Sequence, residues 1–273
     1  MKPRHPKFAI LAPFLALAVT LSAAPKPMLE MRFNGNPESS TVVNTGSMGP
    51  SLDGLILTPD GTGSLGNGVG VSGRDDDRAF DNSAADGHKG SPSRLVEIAN
   101  LGRIGPHQSF TLCFWQKPDP DSGSASTATK FISGLCGTTV QEGDGLSELQ
   151  VSLPRAEPVS CGNGSLAAAG WQMIAVTYDG SDRPGRLKVY TASKTEPLMA
   201  IADATVEGSP IIDPRGRAQI GNNGRFDRAF DGWIDNLRYF ASANDGGGVL
   251  EEPDLEALRQ LDIRNAPSAI FAH

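Results

Sequence analysis

An all-β domain is the fold this sequence predicts, and three observations carry the prediction. Short apolar runs recur along most of the chain, each bounded by turn-formers, and the 32 glycines and 20 prolines in 273 residues are scattered rather than clustered. Several runs alternate apolar with polar residues at a period of two, as half-buried strands do. About 250 residues follow an N-terminal leader, a length that suits one two-sheet sandwich.

The leader comes first. Lys2, Arg4 and Lys7 precede an apolar run from Phe8 to Leu21, and Ser22, Ala23 and Ala24 follow, the order of a secretory signal peptide cut near 22–24. The run is shorter than the ~20 residues needed to cross a bilayer, and no comparable run occurs later. Residues 1–24 are therefore read as a removed signal peptide, and the mature chain as secreted or extracytoplasmic. A sandwich over 28–264 and a tail at 265–273 complete the expected organisation.

MLEMRFNG opens the sandwich, with Leu29, Met31 and Phe33 alternating against Glu30, Arg32 and Asn34. Residues 44–94 are rich in Gly, Ser and Asp; SLDGLILT and GVGVSG are their strand candidates, and DDDRAFDNSAADGHKGSPS reads as loop. From Arg94 the strands are clearer: RLVEIAN, then SFTLCFWQK, a polar loop over 119–129, KFISGL and LSELQVSL. WQMIAVTY and RLKVY form a hairpin through DGSDRPG, and AIADATV, RAQIG and GWIDNLRYF close the series. EEPDLEALRQL is the one helix: Pro253 suits its first turn, acidic residues gather at its positive end, and Leu255, Leu258 and Leu261 share a face.

The formal charge of −7 becomes more negative once the basic leader is gone, which argues against a nucleic-acid partner. Three cysteines suit one bridge in an exported protein. Cys136 with Cys161 is the most economical pairing, each beside a glycine at a strand end, and Cys113 inside SFTLCFW is then a buried thiol. Asn163-Gly164-Ser165 matches a glycosylation acceptor.

Four blocks, in order and spacing, carry a family resemblance. SFTLCFWQKPD is similar to an aromatic "FT..AW.KP" strand, GWQMIAVTYDG to "W..VA.TYDG", RAQIGNN to "..IG", and FDGWIDNLRYF to "F.G.IDE.R.Y". Over roughly Leu29 to Leu261 the chain resembles bacterial laminin-G-like domains of the concanavalin A-like lectin/glucanase superfamily. The resemblance implies a two-sheet antiparallel jelly-roll β-sandwich, about six or seven strands per sheet, with a short C-terminal helix. TASKTE and the glycine-rich ASANDGGG depart from the family's loops.

Glucanases of this fold use carboxylates spaced two apart on one strand. The only such string here, Glu252-Pro253-Asp254-Leu255-Glu256, carries a proline and leads into helical sequence, so acidic residues at a helix start are the favoured reading and no catalytic set is assigned. His88, His107 and His273 read as exposed loop or tail residues. For a metal, Ca²⁺ is the specific hypothesis, because Asp and Asn abound in loops, notably Asp75 to Asp77, Asp227, Asp231 and Asp235. The resemblance implies that Asp235 can face the first strand near Asn34; pairing with Arg238 or a turn-capping role is the competing reading of Asp235.

Trp115, Trp171 and Trp233 fall inside the family blocks and read as core anchors rather than sugar platforms. Asn222, Asn223 and Arg225 lie in a loop able to hydrogen-bond sugar hydroxyls. The expected function is thus a non-catalytic binding module for an extracellular or envelope glycan, with Ca²⁺ as a candidate cofactor. A structural or adhesion module that binds an extracellular or envelope protein is the alternative, and a divergent glycoside hydrolase ranks below both. An open sheet face with polar side chains would favour the glycan; a concave sheet lined by small apolar side chains and covered would not.

Overall fold

In the computed structural model, described over residues 26–83, 93–119, 130–142, 148–162 and 170–264, seventeen strands precede one α-helix. They are β1 (Leu29–Met31), β2 (Thr41–Val42), β3 (Gly54–Thr58), β4 (Gly61–Thr62), β5 (Gly68–Val69), β6 (Arg78–Asp81) and β7 (Leu95–Ile98). Then come β8 (Ser109–Pro118), β9 (Lys130–Leu135), β10 (Thr138–Glu142), β11 (Leu149–Ser152) and β12 (Val159–Cys161). The last are β13 (Gln172–Asp179), β14 (Gly185–Ser193), β15 (Met199–Val206), β16 (Ala218–Ile220) and β17 (Gly232–Ser242), followed by α1 (Glu252–Ile263).

Two antiparallel sheets result. The front sheet runs β15-β14-β13-β8-β17-β6-β5, with β1 also on β17; the back sheet runs β12-β11-β10-β9-β16-β7-β3-β2, with β4 on β3. The sheets hold eight and nine strands, and the surplus over seven is made by the two-residue strands β2, β4 and β5. The jelly-roll sandwich and its C-terminal helix are as the sequence predicts.

Alternation decides what each strand buries. Phe110, Leu112 and Phe114 of β8 and Ile174, Val176 and Tyr178 of β13 face Val140, Val151 and Ile220 of the back sheet across the inter-sheet core. The intervening residues Cys113, Trp115, Met173 and Ala175 face outward from the front sheet, and they are buried too. Leu255, Leu258 and Leu261 of α1 cover them, so the front sheet is packed on both sides. Each leucine contributes about 1.5–3 kcal/mol by burial.

Beneath α1 lies an ion network. Arg238 of β17 donates to Glu30 of β1 at 3.0 Å and to Asp262 of α1 at 2.9 and 2.7 Å, and Asp262 also accepts the Trp115 indole N–H at 2.9 Å. Asp235 is therefore not the partner of Arg238.

Three sequence expectations change. Arg78–Asp81, expected to be loop, is a strand, because Phe80 is buried opposite Ile234 of β17. His107, expected to be exposed, is buried: its Nδ1 lies 2.9 Å from the Gly105 carbonyl, an acceptor only, so Nδ1 donates and Nε2 accepts from the Tyr239 hydroxyl at 2.6 Å. Burial lowers its pKa, in keeping with a neutral ring. His88, His273, Asn163 and the leader lie outside the described residues.

The third change concerns the cysteines. Cys136 and Cys161 are not bridged; both are buried free thiols, as is Cys113. Cys136 occupies the turn between β9 and β10, whereas Cys161 is level with Leu149 and, through it, with Glu142 at the far end of β10. Two strand spacings alone are roughly 10 Å, and a disulfide needs Cα atoms within about 7 Å. Burial raises the thiols to about 12 for Cys113 and Cys136 and about 11 for Cys161. All three should therefore react with a thiol reagent only after unfolding; one equivalent per chain in denaturant would instead reveal a bridge.

Candidate functional site

The two outer faces of the sandwich differ. The outer face of the front sheet is apolar where α1 seals it. The outer face of the back sheet is half-exposed and polar: Ser152, Thr139, Gly134, Gln219 and Glu97 stand in register on β11, β10, β9, β16 and β7. A second row, Ser160, Gln150 and Gln141, crosses β12, β11 and β10, and Gln141 Nε2 donates to Gln150 Oε1 at 2.5 Å. Amides and hydroxyls both donate and accept, which matches the hydroxyl pattern of a saccharide. Gly134 adds no side chain between Thr139 and Gln219, so the row has a notch where a ligand can approach the backbone. Arg217 pairs with Glu97 at 2.7 Å on the flank.

The predicted ligand loop borders this face, since Gly224 N–H donates to Gln219 Oε1 at 3.0 Å. Its three predicted residues have different roles. Asn222 is buried, and its Oδ1 accepts from the Asn223 and Arg228 amides at 2.9 and 3.2 Å. Asn223 accepts from the Arg225 amide and donates to Asp227, at 3.1 and 2.7 Å, so it shapes the loop. The Arg225 side chain is exposed and carries the loop's reach toward solvent. Of the tryptophans, Trp115 is fully buried, Trp171 packs against the α1 cluster, and Trp233 stacks under Lys117 Nζ at 4.8 Å.

The calcium candidates differ in exposure. Asn34 is exposed and accepts from the Arg78 amide at 2.6 Å. Asp235 is buried, accepting from the amides of Val71 at 2.9 Å and Asn236 at 2.7 Å. The carboxylate beside it is Asp77, which accepts from the Ser72 amide at 2.8 Å. Burial first, and then the Asp77 charge, push the Asp235 carboxyl well above the usual carboxylate range. Asp77 Oδ1 and the amide oxygen and nitrogen of Asn236 are buried without a hydrogen-bond partner. Asn236 sits at φ 49° where β17 shifts register, and a Cβ on Gly70 would lie 2.5–2.8 Å from the Asp77 carboxyl group.

This oxygen set suits a hard cation in donor chemistry. Among the described residues no group of three or more His, Cys, Asp and Glu is arranged to hold a metal, so Asn236 and backbone oxygens would have to complete a shell. Sequence reasoning passed over Asn236 because its left-handed conformation arises from the bulge, which the strand pattern GWIDNLRYF hides. Glu252, Asp254 and Glu256 lie in α1, and Glu256 pairs with Arg259 at 2.7 Å.

No helix among the described residues is long and apolar enough to cross a membrane. Comparison with solved structures finds the binding domain of botulinum neurotoxin serotype D, at TM-score 0.55 and 12% identity, over 86% of this chain and 50% of that one. The receptor-binding domain of botulinum neurotoxin D gives 0.54 and 12%, over 86% and 52%. This chain thus spans about half the length of those chains. The Ruminococcus gnavus IT-sialidase CBM40 bound to α2,3-sialyllactose matches at 0.39 and 14%, over 57% of this chain and 85% of that one. No curated protein matches by sequence. A laminin-G-type family model matches residues 90–245, more than half of the chain and with it all four sequence blocks; the protein belongs to the concanavalin A-like lectin/glucanase superfamily.

Proposed function

We propose that this protein is an exported, non-catalytic module that binds a glycan on the open face of the back sheet, with calcium support. The observation that carries the reading is the polar row from Ser152 to Glu97, which lies open while α1 covers the middle of the opposite outer face. This row is an open sheet surface, which suits recognition of an extended chain by side-chain amides and hydroxyls. The export reading rests on the leader, where a basic start, an apolar run and small residues follow in order.

Calcium, in this reading, would be held by Asp77, Asp235 and Asn236, and its positive charge would favour the ionised form of the buried Asp235 carboxyl. Its effect on binding is indirect: it fastens the 70–77 loop to β17 and stiffens the sandwich.

A glycan array run with calcium and with a chelator tests the whole reading. Saturable binding to a defined neutral or acidic glycan is expected, weakened by the chelator. The double substitution Gln141→Ala, Gln150→Ala removes two hydrogen-bonding side chains and should lower affinity about tenfold without changing the unfolding midpoint by more than a fraction of its value. Binding that ignores the double substitution would move the site elsewhere, and no binding under either condition would favour a protein ligand.

A further inference from the structure

A cleft of about 780 Å³ opens at one end of the sandwich, just past the Ser152 end of the first polar row, among the tips of the loops that follow β11, β13 and β15. Arg155, Arg183 and Arg215 all line it. Three guanidinium groups in one cleft are a local reversal in a chain whose formal charge is −7. Arg215 is paired with Asp213 at 2.6 Å, but the Arg155 and Arg183 side chains are exposed and have no ion-pair or hydrogen-bond partner among the described residues.

The walls are tied to one another. Ser209 Oγ donates to the Asp182 carbonyl at 3.0 Å, joining the segment after β15 to the hairpin that carries Arg183. His107 and Ile212 exchange both backbone hydrogen bonds at 2.9 Å, and the Tyr178 hydroxyl donates to the Pro210 carbonyl at 2.9 Å. Arg155 adopts φ 60°, a left-handed conformation that a non-glycine residue takes at a cost. Fixed walls leave chiefly the arginine side chains to be ordered when a ligand binds.

We infer that this cleft is a second binding site, which takes an acidic saccharide through its carboxylate or sulfate group. A guanidinium offers a planar fork that matches either anion with two parallel hydrogen bonds. Glu207, which is exposed, accepts hydrogen bonds from the sugar hydroxyls, and Ile211, 58% exposed, offers an apolar surface to the ring's C–H face. An acidic peptide fits less well. Its neighbouring carboxylates would face Glu207 and Asp213, and the loop tips present no free strand edge for a peptide backbone to pair with.

Titration calorimetry of the full mature chain tests this with four probes: a hyaluronan tetrasaccharide for the carboxylate, a chondroitin sulfate tetrasaccharide for the sulfate, a neutral chitotetraose, and hexaglutamate. One or both acidic saccharides should bind, more weakly as ionic strength rises. Arg155→Ala, Arg183→Ala should reduce that affinity about tenfold or more. The charge-preserving Arg155→Lys, Arg183→Lys should lose most of the same affinity, because the fork is gone. Both residues are exposed, so the unfolding midpoint should stay near that of the parent, and binding to the back-sheet face should be unchanged. Equal binding of hexaglutamate, full binding by the alanine variant, or no binding of either acidic saccharide would overturn the proposal. The back-sheet reading would be untouched by any of these results.

Discussion

Asp262→Ala is expected to cost about 3–5 kcal/mol of folding stability. Arg238 is 1% exposed and shares its charge between Glu30 and Asp262, so burial lowers its pKa while the two carboxylates more than offset that effect. Removing Asp262 leaves a buried guanidinium with half its compensation and an indole N–H of Trp115 without its acceptor. Urea unfolding reads the effect as a lower midpoint at unchanged slope. A loss below about 1 kcal/mol would mean that water reaches the network and that α1 is not sealed.

Leu255→Ala is expected to cost about 2–5 kcal/mol. Leu255 is fully buried on the outer face of the front sheet, where truncation leaves a void between α1 and the strands. The two substitutions share one consequence, the release of α1. Their combined cost should therefore fall short of the sum of the two, because a helix that has already come away has nothing more to lose. Hydrogen exchange in the double variant should show α1 amides opening at low free energy while β8 and β13 stay protected. Full additivity would show instead that α1 stays docked in every variant.

Much of the fold was legible because its longest strands advertise themselves. SFTLCFWQK, WQMIAVTY and GWIDNLRYF are long runs of aromatic, β-branched and apolar residues, as strands buried on both faces are, and the leucine spacing of α1 marks its buried side before any contact is known. RAFD was hidden because four residues cannot display a period, and its burial depends on Ile234, far away in sequence. The Glu30–Arg238 pair was hidden for the same reason: it joins residues 208 positions apart, and only strand register says that they are opposite.

The candidate site was less legible. Asn222, Asn223 and Arg225 were rightly placed in one loop, yet short polar residues in loops serve loop geometry as readily as ligands, and only Arg225 is left facing solvent. The polar rows of the back sheet could be glimpsed only as the polar half of each alternating strand. Their union into one surface depends on the order β12-β11-β10-β9-β16-β7, which composition does not encode.

The Glu30–Arg238–Asp262 network also sets when this protein can finish folding. A chain that emerges from its N-terminal end presents Glu30 early, but Arg238 and Asp262 arrive only with the last strand and helix. Until then β1 lacks the strand it pairs with, and the front sheet has no cover. Assembly is therefore a late, all-at-once event with a large loop-closure cost rather than a stepwise accretion during synthesis.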